Sequence, residues 1–158
     1  MDKLDQEITG RLRRRFRSAC DNGLCRAAVP AADVGAGRKP RCQAIGGDPN
    51  IYYFHSTWAL ADDEALVIEA ADIPPCQTWN FVLQNWWMES LDYRYHTIHF
   101  NKHTARYEAD GGVRIVVAHQ RPPQPNWVET AGHRNGTLCW RWIGAERHPP
   151  VSARVLKF

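Results

Sequence analysis

No stretch of the chain approaches the ~18 consecutive apolar residues that a membrane-spanning helix needs. A secretory leader is equally missing, because Arg11, Arg13, Arg14, Arg15 and Arg17 fill the place where its apolar block would sit. Both absences point to a cytoplasmic protein. Glycine-rich phosphate loops, the Gly-x-Ser-x-Gly elbow and the His-Glu-x-x-His pair do not occur. Nothing therefore signals nucleotide, serine-hydrolase or zinc-protease chemistry, and no cofactor is expected. Cysteine is sparse and odd in number, at Cys20, Cys25, Cys42, Cys76 and Cys139. The Cys20–Cys25 spacing is wide for a zinc knuckle and no second Cys/His pair lies near it, so reduced intracellular thiols are the expectation.

Aromatic residues are nearly missing from residues 1–47, which hold only Phe16, whereas all seven Trp and all five Tyr lie beyond. Charge divides at the same place. Residues 1–47 carry ten Lys/Arg against five Asp/Glu (+5), and residues 48–158 carry ten against twelve (−2), which together return the net +3. The first piece reads as a basic arm or linker, the second as one domain with a sizeable core. Leu4, Ile8 and Leu12 have helical spacing, so the arm could form a short basic amphipathic helix. No aromatics interleave with its arginines as stacking platforms, which argues against a nucleic-acid site.

Turn chemistry at Gly46-Gly47-Asp48-Pro49-Asn50 opens the domain, and six strands are predicted after it. Residues 51–58 are dense in aromatic and β-branched side chains, and 65–69 form a short strand ended by Pro74-Pro75. Residues 78–87 alternate, with Trp79, Phe81, Leu83 and Trp87 on one face and Asn80, Val82, Gln84 and Trp86 on the other. An aromatic-rich strand at 93–100 follows, and Asp110-Gly111-Gly112 signals a hairpin into 113–119. A Pro-rich loop at 121–125 leads to a final strand at 137–143, with Leu138, Trp140 and Trp142 on one side. The expected fold is all-β, an antiparallel jelly-roll-like sandwich over 48–158. Its edges would need cover from another domain or another subunit.

Among groups that could carry chemistry, His96, His99 and His103 would share a metal only on a helix. On a strand, His96 and His99 face opposite ways and His99 and His103 stand about 13 Å apart. No metal site is expected. The run 126–133 is the most singular loop, bringing Asn126, Trp127, Glu129, Thr130 and His133 together between strands. Glu129 and His133 are the candidate acid/base pair. Asn126, Trp127, Thr130, His133, Arg141 and His119 are the candidate ligand-binding residues, with Arg141 holding an anion. A structural role competes, in which Trp127 plugs the open end of the sandwich and Asn126, Thr130 and His133 bond loop backbone. Ion pairs Asp92–Arg94 or Glu89–Arg141 are also expected.

An ordered series of motifs resembles a known family. It runs Trp79-Asn80, Trp87-Met88-Glu89-Ser90-Leu91-Asp92-Tyr93, Asn101, Asp110-Gly111, Val116-Val117-Ala118-His119, Pro125-Asn126-Trp127, Thr130-Ala131-Gly132-His133, Gly136 and Arg141-Trp142. Over residues 45–150 it is similar to the bacterial domain-of-unknown-function family numbered 1214. That resemblance implies a jelly-roll-like domain, often C-terminal to a second domain of unknown function and frequently oligomeric, with no catalytic residues to carry over. Residues 1–44 do not resemble the partner domain, so a truncated or stand-alone version is the expectation.

The functional expectation is a non-catalytic binding or assembly module, a homo-oligomer or the mate of a partner β domain. It rests on a surplus of Trp, with Trp86, Trp140 and Trp142 on faces opposite the best core residues. The alternative is a small-molecule enzyme or binder with its pocket near Trp127, Glu129, His133 and Arg141.

Overall fold

The computed structural model describes residues 46–157. The basic arm, its helix and Cys20, Cys25 and Cys42 lie outside them. Eight strands form: β1 (Ile51–Ala59), β2 (Glu64–Ala70), β3 (Thr78–Gln84), β4 (His99–Asn101), β5 (Val113–Ala118), β6 (Trp127–Glu129), β7 (Asn135–Ile143) and β8 (Ser152–Lys157). They make two four-stranded sheets, ordered β1-β7-β3-β4 and β6-β5-β2-β8. The molecule is an all-β sandwich. Among the described residues no helix is long and apolar enough to cross a membrane.

Alternation along each strand builds the core between the sheets. From the first sheet Phe54, Trp58, Trp79, Phe81, Leu83, Leu138, Trp140 and Trp142 point inward. Leu66, Ile68, Val113, Ile115, Val117 and Val128 meet them from the second. Trp140 and Trp142, expected on an outward face, are both 0% exposed, which corrects that reading. They stack at 4.9 Å, and Trp79 tilts against Trp140 at 5.5 Å. Gly136 allows β7 to pass closely, since a Cβ there would run into the Gln84 carbonyl oxygen and the Trp58 ring.

Four local expectations fail for identifiable reasons. The strand predicted at 78–87 stops at Gln84 because the Asn85 side chain takes the next backbone donors, accepting from Trp87 N–H and Glu89 N–H. Trp87 thereby leaves the core face and becomes exposed. The strand predicted at 93–100 shrinks to β4 because Asp92 accepts from the Arg94 and His96 backbones and winds that segment into turns. Asp110-Gly111-Gly112 is a turn, but its upstream arm is not a strand, and β5 pairs with β2 and β6 instead. Trp127–Glu129, read as loop, is strand β6 and runs parallel to β5, so the sandwich is not wholly antiparallel. The Pro-rich connection returns the chain to the starting end of β5 and forces that direction. Strand β8 was not anticipated.

The outer face of the second sheet carries a smaller apolar cluster, Ala65, Val67, Val116, Ala118 and Leu156, with Trp127 packed on it. Beside it Glu69 on β2 bonds Arg114 Nε and Arg154 Nη1, each at 2.6 Å. Burial alone would raise the Glu69 carboxyl. The hydrogen bonds from Arg154 and Arg114 outweigh it and hold the group below its ordinary 4.5. A depressed carboxylate stabilises the fold above the unfolded value, and that contribution is lost as pH falls through the folded one.

Trp140→Ala should lower unfolding free energy by about 3–5 kcal/mol in urea titration, whereas exposed Trp87→Ala should change it by less than about 0.5 kcal/mol. Glu69→Gln should cost about 1 kcal/mol at pH 7, reduced from a fully buried charged bond by its partial exposure. That deficit should shrink as the titration is repeated below the ordinary carboxylate value of 4.5.

Candidate functional site

The loop and strand that drew attention in the sequence turn out to be mostly architecture. Asn126 is buried and bonds three backbone groups: its Oδ1 accepts from Arg106 N–H, and its Nδ2 donates to the Arg106 and Arg114 carbonyls. Thr130, also buried, meets His119 at 2.8 Å, and His119 Nε2 lies 3.3 Å from the Leu60 carbonyl. A carbonyl can only accept, so Nε2 carries the proton and Nδ1 accepts the Thr130 hydroxyl. Trp127 does not plug an end of the sandwich. Its Nε1 donates to the Ala118 carbonyl, and Arg121 lies 5.9 Å over its ring.

Glu129 and His133 do not pair. Glu129 lies 3.0 Å from His96 Nδ1, because its own N–H is fixed to the Thr97 carbonyl. His133 follows the Ala131-Gly132 turn, where both residues have positive φ, and its side chain is exposed. Arg141 lies on β7 between inward-facing Trp140 and Trp142, so it points out of the first sheet. Glu129 and Trp127 flank inward-facing Val128 and so point out of the second sheet. Arg141 therefore sits on the opposite side of the sandwich from Trp127 and Glu129, and these three residues of the expected pocket cannot line one cleft. The expected Glu89–Arg141 pair does not form either, since Glu89 accepts from Asn85 Nδ2 and Arg141 donates to Asn80. Asp92–Arg94 does form, at 3.0 Å on the exposed surface.

Two features gather functional chemistry. The first is the outer face of the first sheet, where strand register aligns side chains across four strands. One row reads Tyr53, Arg141, Asn80 and Asn101, and the next His55, Cys139, Val82 and His99. Arg141 Nη1 donates to Asn80 Oδ1 at 3.3 Å, and Cys139 Sγ lies 3.7 Å from His55 Nε2. The His55 ring stacks on Tyr53. Burial first, and then the Arg141 charge, push the His55 pKa below its ordinary 6.5. A depressed histidine costs the fold stability as pH falls below 6.5. An open depression of about 320 Å³ lies on this face, bounded by Asn80, Val82, Met88, Ser90, His99 and Arg141. Of these, sequence reasoning had named Arg141 for ligand binding. Outward alternation of Asn80 was legible, but not the register that sets it beside Arg141. Among the described residues no three His, Cys, Asp or Glu side chains cluster as metal ligands.

The second feature is the connection from β3 to β4. Trp86 and Trp87 are 57% and 78% exposed, with Met88 beside them and Tyr93 and Tyr95 further along the same connection. The turn is built, not loose. Asn85 N–H donates to the Glu89 carbonyl, Met88 N–H donates back to the Asn85 carbonyl, and Met88 takes φ 64°.

No family model and no curated protein sequence matches the chain. The fold superposes with TM-score 0.71 on the crystal structure of an uncharacterised protein from Burkholderia cenocepacia, at 59% identity over 73% of this chain and 32% of that one. It also superposes with TM-score 0.56 on the VPA0106 protein from Vibrio parahaemolyticus, at 15% identity over 73% of this chain and 34% of that one, a likeness of fold alone. The chain thus spans about a third of the length of the solved structures it matches.

Proton NMR titration should give His55 a midpoint below 6.5. Arg141→Gln should raise that midpoint yet leave it below 6.5, because burial is the larger cause.

Proposed function

We propose that the sandwich is a binding module that docks on a partner β domain through the connection from β3 to β4. The observation that carries this reading is the exposure of Trp86, Trp87 and Met88 on a hydrogen-bonded turn. Apolar surface of that size costs solvation free energy at about 25 cal/mol per Å², and adjacent exposed Trp side chains are characteristic anchors of interfaces. The turn is held in shape by Asn85, so docking would demand little further ordering.

The choice of occupant rests on length. The Burkholderia protein, 59% identical where it matches, devotes about two thirds of its chain to polypeptide beyond the matched part. A neighbouring domain in such a protein is the natural cover for an aromatic turn. The resemblance to family 1214 supports the same view, since its members commonly carry a second domain. No catalytic step is assigned, because the candidate acid/base residues Glu129 and His133 are not paired.

Three measurements test the reading. In the Burkholderia structure, the positions that superpose on Trp86, Trp87 and Met88 should be buried against residues outside the matched third. Solvent-exposed positions there would overturn it. In solution the protein should run as a monomer by size-exclusion chromatography with light scattering. A dimer dispersed by Trp87→Ala would replace the partner domain with a second copy. Where the partner is bound, Trp87→Ala should weaken association by about 2 kcal/mol, roughly thirtyfold.

A further inference from the structure

The outer face of the first sheet has an electrostatic peculiarity that involves neither Trp86 nor Trp87. Its outward positions on the paired strands include Tyr53, His55, Thr57, Asn80, Gln84, His99, Asn101, Thr137 and Arg141. None of the outward positions on these strands is Asp or Glu. The nearby acidic side chains of the β3–β4 connection are engaged elsewhere, Glu89 with Asn85 and Asp92 with Arg94. Arg141 is thus a half-buried cation with no carboxylate partner among the described residues, and its one hydrogen bond there goes to the neutral Asn80 amide. Five other arginines of the domain do have acids: Arg94 meets Asp92, Arg114 and Arg154 share Glu69, Arg134 meets Asp62 and Arg147 meets Asp72. Arg106 and Arg121 have none among the described residues, but both are exposed where Arg141 is half-buried. A guanidinium has five N–H donors in a planar fork that fits a carboxylate with two parallel bonds.

The surroundings select among anions. Val82 and Met88 give the lining of the depression apolar groups, while Asn80, Gln84, Ser90, His99 and Arg141 give it polar ones. A volume of about 320 Å³ suits a small molecule and not a polymer. We propose that this depression binds a small organic carboxylate with an apolar body, the carboxylate on Arg141 and the body against Val82 and Met88. Asn80 is a positioning residue that holds the guanidinium. His99 lines the same space and offers a ring N–H as a second donor. An inorganic phosphate would satisfy Arg141 but leave the apolar groups unused.

Sodium benzoate is the probe, followed by NMR on the intact chain with acetate and inorganic phosphate in parallel. Benzoate should shift the His99 and Arg141 side-chain signals saturably, with acetate and phosphate at least tenfold weaker. Arg141→Gln should lose benzoate binding at least tenfold, and Arg141→Lys should lose part of it, because a single ammonium cannot make the two-bond contact. Met88→Ser should weaken benzoate and leave acetate unchanged, and it keeps the test open if Arg141→Gln misfolds. Saturating benzoate should also move the His55 midpoint upward by neutralising the charge that lowers it. Absence of saturation, full binding by Arg141→Gln, or equal binding of acetate or phosphate would each overturn the proposal. Trp87→Ala should leave benzoate binding intact, so failure of the docking reading and failure of this one are separable.

Discussion

The contact on which the rest of the sandwich depends is the stack of Trp140 on Trp142, with Trp79 and Phe81 of the neighbouring strand packed against Trp140. These rings lie on the two central strands of the first sheet and are wholly buried. Because side chains alternate along a strand, fixing Trp140 and Trp142 inward fixes Cys139 and Arg141 outward. A slip of one residue in β7 would bury a guanidinium and expose two indoles, a cost of many kcal/mol in both directions. The register of the outer face is therefore a consequence of the core. The indole N–H groups of Trp140 and Trp142 have no acceptor among the described residues.

The two outer faces resolve their charge differently, and the difference follows from strand pairing. On the second sheet, β2 sits between β5 and β8, which lets Glu69 pair with both Arg114 and Arg154. On the first, β7 sits between β1 and β3, which sets Arg141 between Tyr53 and Asn80. One face is an ion-paired network and gains stability from it. The other leaves a guanidinium under-coordinated beside a histidine whose protonation it opposes. Preorganised cations that contribute nothing to an internal pair are available for a ligand.

Legibility from sequence tracked the distance over which each determinant acts. Strands β1, β2, β5 and β7 were readable because their alternation and β-branched or aromatic content are local. Sidedness was harder: Leu138, Trp140 and Trp142 were grouped correctly on one face, but no local signal says which face meets the other sheet. The missed turns had visible agents in Asn85 and Asp92, whose side chains can capture backbone N–H groups. Aromatic content in 86–87 and 93–95 argued for strand and concealed them. Strand β8 is supplied with a partner only by the distant β2, and β6 has just three residues.

The candidate site was less legible than the fold for the same reason. Residues 126–133 looked functional because polar and aromatic types crowd together in sequence, yet crowding in a connection is also what buried backbone requires. Asn126 answers to three backbone groups and Thr130 to His119, so their polarity is consumed internally. Conversely, Asn80 and Arg141 lie sixty-one positions apart and become neighbours only through β3–β7 pairing. What separates a working polar group from a structural one is whether its hydrogen-bonding capacity is spent within the fold. By that measure Asn126 and Thr130 are framework, and the half-buried strand residue Arg141 has capacity left to bind something else.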